Sequence, residues 1–183
     1  VLPPHDQGII DCVGQVGRIE QADFAAAVEK GEVVICTRQT DEAYLEALQG
    51  ESFPGPRELG ILFSPLHGVA ASSVVPLLSC VGFKQVEVYP PHASQDGDFP
   101  NVPDHVANPE NTAVFDALVE HAKESGQEIV LVTDPDGDRM GCAAPLTLEE
   151  GSPWQVFNGN QLSSLLADFV LEKRSQAGHL DAH

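Results

Sequence analysis

Three aspartates, Asp134, Asp136 and Asp138, occupy alternate positions in TDPDGDRMG and are followed directly by Arg139. Alternate residues of an extended segment point to one side, roughly 6 to 7 Å apart, so a bend at Gly137 brings the three carboxylates toward one point. Carboxylates held that close repel one another, and some must take up protons unless a cation joins them. A hard divalent ion relieves the conflict. Three oxygens from one short loop leave vacant positions on a six-coordinate ion, the arrangement Mg2+ favours when water or phosphate completes its shell. The Arg139 guanidinium adds a planar fork of donors suited to a pair of phosphate oxygens. The pattern points to a cation site open to a phosphoryl group. An EF-hand fits poorly, because Arg139 and Pro145 stand where that loop needs Gly and Glu, and a strand rather than a helix leads in. A solvated acidic turn without a ligand is the remaining alternative, since Asp, Pro and Gly are also ordinary turn formers.

Other polar residues carry less chemistry. Ser64 and His67, in SPLHG, suggest a nucleophile with a base, but no third member is evident and G-x-S-x-G is absent. A strand-end loop lining the same cleft is the favoured reading. His92, His105 and His121 are scattered and expected at the surface. Asp96 and Asp98, in QDGDFP, read as a second, structural acidic turn. Cys12, Cys36, Cys80 and Cys142 lie far apart without a C-x-x-C pair, so free thiols in a reducing cytosol are expected.

The elements that must position the loop show a regular alternation. Residues 23–28 (DFAAAV) predict a short helix, 32–37 (EVVICT) a brief strand, and DEAYLEALQG a helix stopped by Gly50. ESFPGPRE reads as a loop. Then GILFS predicts a strand, residues 70–81 a helix, and VEVY a second strand. A proline-studded loop covers 90–109, and residues 110–125 form an amphipathic helix ended by Gly126. EIVLVT is the third strand, MGCAA a short return strand, and LTLEEGSPW a polar break. GNQLSSLLADFVLEKR is a strong helix with Leu162, Leu165, Leu166, Phe169 and Val170 on one face, and SQAGHLDAH shows no core pattern. Strands alternating with helices predict an α/β fold with a mixed, mainly parallel sheet covered on both faces, and such sheets gather ligands at their carboxyl edge.

With 183 residues, 42% apolar and 20% charged, the chain is that of a folded globular protein. Its 28 acids against 9 bases give a net charge of -19, which argues against nucleic acid or an anionic membrane as partner. No apolar run approaches the ~20 residues of a membrane span.

Taken together these residues resemble the α-D-phosphohexomutase superfamily, the phosphoglucomutases and phosphomannomutases. TDPDGDRMG is similar to that family's metal-binding loop, and SPLHGVAASSVVPLLSCVGF followed by VEVYPPHASQDGDFPNVPDHVANPEN to its second domain. GNQLSSLLADFVL resembles the opening helix of its third domain and VLPPHDQGII the tail of its first. The resemblance implies residues 1–40 as the tail of domain I, 41–145 as domain II with the metal loop, and 146–183 as the start of domain III. It implies a cytoplasmic enzyme that moves a phosphoryl group between C1 and C6 of a hexose phosphate through a phosphoserine and a hexose bisphosphate. Asp134, Asp136 and Asp138 are then ligands of Mg2+, Arg139 lies catalytically beside the phosphoryl group, and the other domains of the same protein are partners. The family's serine loop (T-A-S-H-N-P), its G-E-x-S-G-H sugar loop and its last phosphate-binding loop are not in these residues, so the chain alone is expected to be inactive. A non-catalytic cation-binding domain that keeps the mutase fold, or a calcium-stabilised structural module, is the competing expectation.

Overall fold

Strand β1 (Ile61–Ser64) is buried at every residue, as a short apolar run bounded by Gly60 and Pro65 requires of a central strand. It pairs in parallel with β2 (Val86–Val88) on one side and with β3 (Ile129–Thr133) on the other. Two antiparallel strands, β4 (Met140–Pro145) and β5 (Trp154–Phe157), extend the sheet to the order β2-β1-β3-β4-β5. The computed structural model describes residues 2–36 and 38–179.

The chain divides into two units, Val1–Thr40 and Asp41–His183. The first holds α1 (His5–Gly14) and α2 (Phe24–Glu29), and none of its described residues is buried. The Asp23 carboxylate caps α2 by accepting from the Ala26 N–H at 3.0 Å. α3 (Arg38–Gln49) leads into the second unit. The sheet lies wholly in that unit, with α4 (Ala71–Cys80), α5 (Val114–Ser125) and α6 (Gly159–Gln176).

α4 connects β1 to β2, and α5 connects β2 back across to β3. Crossovers between parallel strands are right-handed, so two that run in opposite directions across a sheet put their helices on opposite faces. α5 covers the face from which Leu62, Val130 and Val132 project, and its Val114, Phe115, Leu118 and Ala122 complete the core there. Gly126, left-handed at φ 73°, ends it. α6 opens with a capping box in which the Asn158 side chain accepts from Gln161 N–H and the Gln161 side chain accepts from Asn158 N–H.

Several expectations need correction. EVVICT was expected to be extended, but residues 32–36 form no strand, and Thr37 lies outside the described residues. Apolar letters alone made that segment look like a strand; Val34 and Ile35 are exposed, and among the described residues of their unit no strand is there to pair with them. α5 begins at Val114 rather than residue 110, because the Asn108 and Asn111 side chains accept from the Glu110 and Ala113 amides and hold 108–113 in turns. The polar break after β4 ends inside an element, since Trp154 already belongs to β5 and pairs with Pro145. α1 was expected only as a tail without an assigned element. The last four residues of SQAGHLDAH, like Val1 of VLPPHDQGII, lie outside the described residues.

Candidate metal centre

Ser64 and Val132 stand opposite one another in the β1–β3 ladder, so the segments that follow the two strands leave the carboxyl edge side by side. From β1 the chain crosses to one side, and on its return it enters β3 on the other. That reversal of strand order opens a crevice, the usual ligand position in an open α/β sheet. The turn 65–70 forms one lip and the loop 134–139 the other.

The loop joins β3 to β4 as a tight hairpin. The Asp134 N–H donates to the Arg139 carbonyl at 3.2 Å, the Gly137 N–H donates to the Asp134 carbonyl at 3.1 Å, and Gly137 is left-handed at φ 76°. A side chain at Gly137 would be strained at that φ, and its Cβ would press on the Ala70 Cβ at 3.3 Å. The bend carries the three carboxylates together: one oxygen from each of Asp134, Asp136 and Asp138 lies within 4.8 Å of the others. Opposite ligands of a six-coordinate Mg2+ are about 4.2 Å apart and adjacent ones about 3 Å, so the three carboxylates would draw together by roughly 0.5 to 2 Å around such an ion. The donor set is all oxygen and suits a hard cation. Asp136 and Asp138 are exposed, leaving outward positions open, while Asp134 is 1% exposed.

Asp134 also organises the loop. Its Oδ1 accepts from the Arg139 backbone N–H at 3.1 Å and its Oδ2 from Arg139 Nε at 2.8 Å. Burial works to raise the Asp134 pKa, but the Arg139 backbone and guanidinium, with a hydrogen bond from Asp138, outweigh it and hold the carboxyl below its ordinary value. Asp138 moves the other way: its hydrogen bond with Asp134, then the charges of Asp136 and Asp134, raise its pKa. Two neighbours in one loop are thus pushed apart in acidity, which marks a place where negative charge is crowded.

Arg139 is held from a second side. Its Nη1 donates to Asn108 Oδ1 at 3.2 Å, and the same oxygen accepts from Glu110 N–H at 3.0 Å. Asn108 therefore orients the guanidinium, a role not legible in the N-P-E text around it. Gly141 makes this possible, because a Cβ there would lie 2.9 Å from the Pro109 carbonyl oxygen and 2.8 Å from Phe115 Cζ. Beside Arg139 and Met140 a cleft of about 570 Å³ opens, bounded by Pro109, Glu110, Val156 and Asn158.

Ser64 and His67 do not pair. Ser64 donates instead to His92 Nδ1 at 2.9 Å, because His92 Nε2 donates to the Asn101 carbonyl at 2.9 Å and leaves Nδ1 as the acceptor. Ser64 and His92 are 0% and 1% exposed, so no substrate reaches the hydroxyl. His92 is a correction to the expected surface histidine: it is a buried strut, needed to satisfy Ser64 where a strand end meets a loop. His105, exposed, donates to the Asp98 carbonyl, and half-buried His121 meets Glu87 at 2.7 Å. Asp96 accepts from the Asp98 N–H at 2.9 Å, as a turn residue does. The four cysteines are free, Cys142 buried and the other three exposed. No helix among the described residues is long and apolar enough to cross a membrane.

Residues 42–146 match the family model described as phosphoglucomutase/phosphomannomutase, alpha/beta/alpha domain II. A phosphomannomutase of Mycoplasmoides pirum is 29% identical over 179 residues, 96% of this chain but 31% of its own length. A phosphoglucomutase of Staphylococcus aureus (strain bovine RF122 / ET3-1) is 34% identical over 122 residues, 67% of this chain and 21% of its own length. The chain thus spans between a fifth and a third of these relatives. In fold it is similar to a phosphoglucomutase/phosphomannomutase family protein of Burkholderia thailandensis, with a TM-score of 0.58 at 24% identity over 74% of this chain and 26% of that one.

Proposed function

The chain belongs to the phosphoglucomutase/phosphomannomutase family, and on that premise we propose that it supplies the magnesium-binding part of a phosphohexomutase that interconverts hexose 1-phosphate and hexose 6-phosphate. The observation that carries the reading is the convergence of the Asp134, Asp136 and Asp138 oxygens within 4.8 Å beside the Arg139 guanidinium. In this reading a serine elsewhere in the enzyme gives its phosphoryl group to the sugar and takes another back from the resulting bisphosphate. Bound Mg2+ supplies charge neutralisation for the phosphoryl oxygens.

The chain's own residues do the rest. Asp134, Asp136 and Asp138 hold the cation. Arg139, fixed through Nε by Asp134 and through Nη1 by Asn108, faces the cleft and steadies a phosphoryl oxygen by charge-assisted hydrogen bonding. Phosphoryl transfer depends chiefly on positioning and on offsetting spread negative charge, and both are properties of this loop. The phosphorylated serine and the groups that read the sugar are contributed from outside these residues, so the chain alone is not expected to turn over.

Calorimetric titration of the chain with Mg2+ and, separately, Ca2+ tests the site. One Mg2+ per chain is expected, with none after Asp134, Asp136 and Asp138 are all replaced by alanine. With the remaining segments of a family-length enzyme supplied, glucose or mannose 1-phosphate primed by a bisphosphate is expected to yield 6-phosphate. Activity that survives the triple replacement rules out the assigned role. Magnesium binding without any 6-phosphate marks a non-catalytic cation-binding domain instead.

A further inference from the structure

His67 follows β1 in the turn that forms one lip of the crevice, and it is 3% exposed. Its backbone is left-handed at φ 63°, as is that of Leu66 at φ 44°. Non-glycine residues stay in that region only where their surroundings fix them. Three hydrogen bonds do so here. The His67 N–H donates to the His92 carbonyl at 3.1 Å, its carbonyl accepts from the Asp96 N–H at 3.2 Å, and Nδ1 bonds the Ser94 carbonyl at 2.8 Å. A carbonyl can only accept, so Nδ1 carries the proton. Nε2 is buried without a protein partner.

The next two residues reach the aspartate loop. Gly68 lies so close to Pro135 that a Cβ would sit 2.2 Å from the Pro135 Cα, and the Val69 N–H donates to the Pro135 carbonyl at 2.9 Å. Pro135 stands between Asp134 and Asp136. We infer that His67 is a positioning residue for the aspartate loop: its Nδ1–H ties the 66–69 turn to Ser94, and the turn in turn holds Pro135 and fixes the spacing of Asp134 and Asp136. The consequence for cation affinity rests on the metal-site reading above; the hold on the loop does not.

The test separates the two. Amide hydrogen exchange is followed by NMR without cation, and Mg2+ affinity by calorimetry, in the 183-residue chain and in three variants. His67→Gly removes the imidazole without straining a positive φ. His67→Gln places its amide near Nε2 and leaves no donor at Nδ1. His67→Asn keeps a donor near Nδ1 and tolerates the left-handed backbone. In the Gly and Gln variants, exchange at Val69 and Arg139 is expected to rise about tenfold while the β1–β3 ladder stays within about twofold. Mg2+ is expected to bind about tenfold more weakly in both, with His67→Asn restoring each quantity to within about threefold. Unchanged protection at Val69 and Arg139, an equal rise across the ladder, or an Asn variant as loose as Gly overturns the inference. Should the wild-type chain bind no Mg2+ while the Gly or Gln variant still loosens the loop selectively, the cation reading fails and the positioning role stands.

Discussion

Asp134 gives both carboxylate oxygens to Arg139, while Asp136 and Asp138 stand exposed at the loop tip. The three aspartates therefore differ in what they do before any cation arrives. Asp134→Ala is expected to lower stability in urea by about 2 kcal/mol, the loss of charge-assisted hydrogen bonds at a buried carboxylate, trimmed by the half-exposure of its partner. Asp138→Asn removes a charge that its neighbours repel, so the cation-free Tm is expected to rise while the Tm gain on adding Mg2+ shrinks. Thermal melts with EDTA and with Mg2+ check both, and like behaviour of the two variants would contradict the assignment. His92 sets a second residue-scale expectation. Burial lowers its pKa from the ordinary 6.5, the Asn101 carbonyl acts in the opposite direction, and the charge of His67 lowers it further. Below 6.5 and above the folded value, the unfolded chain binds the extra proton, so stability is complete above pH 6.5 and is lost as pH falls through that window. Urea midpoints at about pH 7.5 and about pH 5.5 should fall further for wild type than for His92→Gln. The Asp residues were legible in the sequence because one short loop holds them all. Asn108 and His92 were not, because their partners, Arg139 and Ser64, lie 31 and 28 positions away.

At the scale of elements, the site depends on an antiparallel return inside an otherwise parallel arrangement. β3 arrives from a crossover and β4 leaves by a hairpin, so the aspartates occupy a tight turn with a ladder on both sides. Period and punctuation revealed β1, β3, α5 and α6, where apolar runs are long or end at Gly or a cap. They did not reveal β5, whose four half-buried residues WQVF gain strand character only by pairing with β4. EVVICT failed for the converse reason: residues 32–36 have suitable letters, but no partner strand lies beside them among the described residues. β4 also carries a built-in reporter. Cys142 is buried at its centre, opposite Leu131 and Phe157, and burial pushes its thiol up to about 11. Cys12, Cys36 and Cys80 are exposed. A thiol reagent such as DTNB is expected to modify three thiols quickly and Cys142 about a hundredfold or more slowly, since both its thiolate fraction and its access are low. Four equally fast thiols in the folded protein would mean that the β3–β4–β5 meander is not closed as described.

For the whole molecule, the core is confined to one unit. Its buried cluster runs from Leu62 to Ala143, with Trp154 and Val156 packed against it, and none of the described residues 2–36 is buried. A chain of residues 38–183, which keeps α3 whole, is accordingly expected to melt within about 3 °C of the full chain. A drop of more than about 10 °C would show that the first unit contributes to the core's stability. α6 presents Leu165, Leu166 and Phe169 half-exposed, although they lie on its apolar face. Yet α6 is also tied back to the start of its unit. Phe169 meets Phe53 edge-on at 5.6 Å, and Arg174 approaches Glu51 at 3.8 Å. Residues 51–53, just after α3, and the later turns of α6 therefore meet at one place. A segment whose two ends are neighbours can be spliced into a host chain at a single point, or circularly permuted. Joining those ends and opening the exposed 147–151 turn would leave every strand neighbour, and the aspartate hairpin itself, in place.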